Sequence, residues 1–113
     1  MDGPIFVYVT ASSPEEAEKI GRAAVADRLA ACANILPGMR SVYRWQGAIE
    51  TAAAAVLILK TQRSLLEGLT RLVRERHSYD CPCVVALPIE GGNPAYLDWL
   101  AEQTAPGEGT ALA

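Results

Sequence analysis

The chain has 113 residues, 50% of them hydrophobic and 20% charged, with a formal net charge of -3. That length supports one hydrophobic core, and the composition excludes a disordered chain. The longest apolar run, Ala52 to Leu59, is too short to cross a bilayer, and the mildly acidic balance with dispersed Lys and Arg argues against a nucleic-acid partner.

The chain opens Met1-Asp2-Gly3-Pro4, without the basic and apolar segments of a secretory signal, so a cytoplasmic location is expected. In that reducing setting Cys32, Cys81 and Cys83 are expected as free thiols. Ile5 to Thr10 is β-branched and aromatic and reads as a buried strand. Ser13-Pro14-Glu15-Glu16 combines an N-cap serine, a proline at the first helical position and a glutamate three residues after the cap. A helix is predicted from there to near Leu29, with Ala17, Ile20, Ala24, Val25 and Leu29 forming its apolar stripe. Ala31 to Trp45 reads as extended, bent by Pro37-Gly38, and Gln46-Gly47 turns it into a second long strand, Ala48 to Thr61. Val56 to Leu59 shows no polar alternation, as expected when both sheet faces are covered.

Ser64 and Glu67 make a second capping box for a helix ending near His77, where Arg71, Arg74 and Arg76 suit the negative end of the dipole. Cys83 to Ile89 is a short strand, and Asn93-Pro94 caps a last helix carrying Leu97, Trp99 and Leu100. The order β-α-β-β-α-β plus a helix predicts an α+β, ferredoxin-like split βαβ sandwich with a long β-hairpin. A single domain is expected over residues 1–103 and a flexible tail over 104–113. The sheet face without helices and the overhanging hairpin imply burial against other copies of the chain.

Six segments in order resemble the CutA family: Leu29 to Gly38, Ser41 to Gly47, Lys60-Thr61, His77 to Tyr79, Ala86 to Ile89, and Gly92 to Trp99. The resemblance implies a homotrimer whose hairpins pair between copies, linked to tolerance of copper and other divalent cations. Among the departures from that pattern, Ser78 and Cys83 stand where family members usually have proline and glutamate.

Tyr43 and Trp45, on the projecting hairpin, are the candidate trimer-interface anchors. His77, Cys81 and Cys83 form His-x3-Cys-x-Cys, and one imidazole with two thiolates would suit Cu(I), or zinc with a fourth ligand from another copy. Possible ligands are thus copper or another divalent cation, with no cofactor needed for folding. The single histidine and the lack of nucleophile and phosphate-loop motifs argue against an enzyme. The alternative function is a trimeric sensor, with Arg44, Lys60, Tyr79 and Trp99 converging on a small anionic ligand in clefts between copies; a pure scaffold is the third reading.

Overall fold

A computed structural model describes residues 2–105. Four strands, β1 (Pro4–Ala11), β2 (Cys32–Trp45), β3 (Ala48–Gln62) and β4 (Val84–Pro88), form an antiparallel sheet in the order β2-β3-β1-β4. Helices α1 (Pro14–Ala26) and α2 (Leu66–Arg76) follow β1 and β3, and α3 (Pro94–Thr104) follows β4. This is the ferredoxin-like arrangement read from the sequence, with β3 inserted between β1 and β2.

Period-two burial sets the sheet's two faces. Ile5, Val7, Val9 and Ala11 of β1 face Thr61, Leu59, Leu57 and Ala55 of β3, and all eight are buried. Ile20 and Ala24 of α1 and Leu69 and Val73 of α2 complete this core. The alternate residues lie on the other face: Phe6 and Tyr8, Val56, Ile58 and Lys60, and Val85 and Leu87. The uninterrupted apolar run of β3 therefore alternates in burial within one chain: Leu57 and Leu59 are sealed, whereas Val56 and Ile58 are half-buried. Helix α3 packs on β3 and β1.

Ser13 caps α1 as expected, its Oγ accepting from the Glu16 N–H at 3.1 Å. The helix stops at Ala26, three residues short of Leu29, because Arg28 takes a left-handed φ of 59° and the N–H groups of Leu29 and Ala30 turn back to the Ala24 carbonyl. The Ser64–Glu67 capping box does not form. Ser64 N–H and Oγ instead donate to the Asp2 carboxylate at 3.0 and 2.7 Å, residues Arg63–Leu65 form a 3-10 turn, and α2 starts at Leu66. Those two bonds, led by the backbone one, hold the Asp2 carboxyl below the usual carboxylate range.

The hairpin turns through Gln46 and Gly47, both at positive φ (50° and 83°), a geometry that suits the strand twist. The register shifts between Leu36 and Met39, at Pro37-Gly38, giving the expected bulge. Cys32 is half-buried opposite Lys60, on the face away from α1, and is not a core residue. The last strand begins at Val84, one residue after Cys83. Thr104, assigned above to the tail, closes α3 and is buried, its Oγ1 donating to the Leu100 carbonyl at 2.9 Å. The rest of that tail, 106–113, lies outside the described residues.

Candidate functional site

The α2–β4 connection carries His77, Tyr79, Cys81 and Cys83, and it is anchored through Glu16. The Glu16 carboxylate accepts from Ser12 N–H and Ser12 Oγ, both at 2.9 Å, and from Ser78 N–H at 2.8 Å. Partial burial works against its ionisation, but the hydrogen bonds from Ser12 and Ser78 prevail and bring its pKa down to about 2.

Beside this carboxylate the His77 side chain is fully buried. Its Nε2 lies 2.7 Å from the Thr10 carbonyl, and its Nδ1 lies 3.0 Å from the Tyr79 N–H. A carbonyl only accepts and an N–H only donates, so Nε2 carries the hydrogen and the Nδ1 lone pair is used. No imidazole lone pair is left for a metal. His77 ties the connection to β1, and the Tyr79 ring stacks on it at 4.7 Å.

Cys81 and Cys83 are exposed and free. His77 does not join them: among the described residues no group of three or more His, Cys, Asp and Glu side chains is placed to hold a metal ion. The three-ligand set expected from spacing is thus reduced, within one chain, to two thiols, because the imidazole is committed to the backbone.

The residues expected to converge on an anion are divided. Lys60 Nζ sits 5.5 Å from the Tyr96 ring centre, and Tyr96 stacks on Trp99 at 5.5 Å, so Lys60 and Trp99 share one cluster. Arg44 lies opposite Ile49 near the hairpin tip. Ile49 and Lys60 are eleven residues apart on β3, about 35 Å along the strand. Tyr79 stands at the Thr10 end of β1, whereas Lys60 pairs with Phe6. One chain does not assemble all four. Tyr96 was missed in the sequence; its position three residues before Trp99, on one helix face, is the signal that could have found it.

On the hairpin, Tyr43 and Trp45 are 42% and 58% exposed, and Val42 and Ile49 are about 70% exposed. Desolvation, then the Glu50 carboxylate directly across the hairpin, and lastly Tyr79, hold the Tyr43 phenol above its usual range.

The sequence pattern of the CutA1 divalent ion tolerance proteins matches residues 5–103, nearly the whole described domain. The chain belongs to the CutA1 family. The divalent-cation tolerance protein CutA of Thermus thermophilus is 46% identical over 98 residues, covering 87% of this chain and 95% of that one. The chloroplastic CutA 1 of Oryza sativa is 48% identical over 100 residues, covering 88% of this chain and 56% of the rice protein. This chain thus spans little more than half the length of its plant CutA relatives. The T. thermophilus CutA1 structure superposes with a TM-score of 0.88 at 44% identity, covering 90% of this chain and 99% of its own. The rice CutA1 structure gives 0.87 at 48% identity, covering 89% and 93%.

Proposed function

We propose that this CutA1-family chain acts in tolerance of copper or another divalent cation, as a non-enzymatic homotrimer in the cytoplasm. The observation that carries the reading is the match over nearly the full length of a bacterial protein named for divalent-cation tolerance, at 46% identity. Assembly is supported by the apolar side chains that one chain leaves in water, among them Leu36, Val85 and Leu87 on the sheet face opposite α1 and α2, and Trp45 on the hairpin. A group of three metal-ligating side chains is absent from the described residues of a single chain, so divalent ions with higher coordination numbers would draw ligands from more than one copy.

The test is growth under graded copper of a bacterial strain lacking its own CutA, with and without this chain. Restored growth is expected, and identical growth curves would refute the reading. A second reading, a sensor of small anions, is favoured by the Lys60 ammonium poised over Tyr96 beside Trp99. Equilibrium dialysis of the assembled protein against copper, zinc and a panel of anionic metabolites separates the two.

A further inference from the structure

We propose that Lys60, Tyr96 and Trp99 bind an aromatic carboxylate. Lys60 is half-buried on the sheet face opposite α1 and α2, and it pairs across the strands with Cys32 of β2 and Phe6 of β1. Phe6 in turn pairs with Leu87 of β4. This row across all four strands therefore carries one ammonium among two apolar side chains and a thiol. The ion pairs among the described residues are Arg22 with Glu18 and His77 with Glu16, so within them no carboxylate neutralises Lys60. A cation partly withdrawn from water attracts an anion more strongly than one on the open surface.

Helix α3 supplies the other half of the site. Asn93 caps it, its Oδ1 accepting from Ala95 N–H at 3.2 Å, which sets Tyr96 in the first turn. Tyr96 and Trp99, three residues apart, fall on one face of the helix. Their rings meet at 5.5 Å and both remain exposed, while the buried Leu100 beside them seats α3. The Lys60 nitrogen stands over the Tyr96 ring, 5.5 Å from its centre. An ammonium bordering an exposed pair of rings matches a ligand with a negative group at one end and a flat aromatic body at the other. The carboxylate accepts from Nζ, and the ring lies against Tyr96 and Trp99. Inorganic phosphate would use the ammonium alone and leave both rings in water. This site rests on the anion reading above and gives it a ligand class; the tolerance reading is independent of it.

The experiment titrates the assembled full-length protein with benzoate, with cyclohexanecarboxylate, which has the charge without the aromatic ring, and with benzamide, which has the ring without the charge. Protein NMR follows the Nε1–H signals of Trp99 and Trp45. Benzoate is expected to shift Trp99 and leave Trp45 in place. It should bind about 2–10-fold more tightly than cyclohexanecarboxylate, the range that an aromatic pair adds beyond its buried area. Lys60→Gln should weaken benzoate by about tenfold or more, as loss of a charge-assisted hydrogen bond does, and Lys60→Arg should retain it. The three probes are compared on wild type, so the result stands if a variant fails to assemble. Cyclohexanecarboxylate held as tightly as benzoate would overturn the aromatic ligand and leave the anion reading standing. Benzamide held as tightly as benzoate, or benzoate undiminished in Lys60→Gln, would overturn the site. No binding of benzoate while another anion is retained in dialysis would do the same, and no binding of any anion would remove both readings.

Discussion

Glu16 shows how one side chain serves a local and a distant purpose. Its spacing from Ser13 marks it as part of a helix start, and that role is legible from four consecutive letters. Its bond to Ser78, 62 residues away, is not, because nothing local in the sequence says which backbone N–H will arrive there. The carboxyl is shifted from 4.5 to about 2 in the folded chain, so its contribution to stability is complete above pH 4.5 and is lost as pH falls through 2. With its side chain 15% exposed, the contribution is at most about 3 kcal/mol. Glu16→Gln should lower stability at pH 7 and flatten the acid limb, as read from urea unfolding at several pH values. Parallel acid limbs in the two proteins would rule this out.

At the scale of elements, α1 is seated on the sheet through a missing side chain. A Cβ added at Gly21 would lie 2.8 Å from Ala33 Cβ and 3.4 Å from Leu57 Cδ1. Gly21→Ala should therefore push the helix off β2 and cost about 1–3 kcal/mol, although alanine is the better helix former; a denaturant midpoint at or above that of wild type would contradict this. The hairpin, its turn and its bulge were legible because Gln46-Gly47 and Pro37-Gly38 leave the backbone few alternatives. The start of α2 was misread because Asp2, remote in sequence, outcompetes the helix for the Ser64 hydroxyl and N–H. The commitment of His77 to the Thr10 carbonyl is likewise a tertiary contact that the His-x3-Cys-x-Cys spacing does not encode.

The described residues span 50 × 31 × 24 Å, with a radius of gyration of 15.0 Å against about 13 Å for a compact chain of this length. The excess is the overhanging hairpin. Its exposed Trp45 is expected to anchor assembly, so Trp45→Ala should weaken the trimer by about 2 kcal/mol or more, and Trp99→Ala by less. Sedimentation equilibrium at micromolar concentration decides this; a folded wild-type monomer, or equal effects of the two substitutions, would displace the interface from the hairpin. The sheet order and core were legible from alternating and helical periods. The separation of Arg44 from Lys60 was not legible, since it depends on how far the hairpin carries one away from the other.

The sheet order has a consequence in time. β1 (Pro4–Ala11), which precedes the other three strands of the sheet in the chain, ends up in its interior, hydrogen-bonded on one side to β3 and on the other to β4, whose residues 84–88 come some eighty positions later. Pairings so distant in sequence close large loops before any contact rewards them, which slows folding. A nascent chain released before β4 is made leaves one edge of β1 unsatisfied, an edge open to pairing with another chain. Completion of this sheet therefore waits until β4 has been made, and β1 stays unpaired on that side until then.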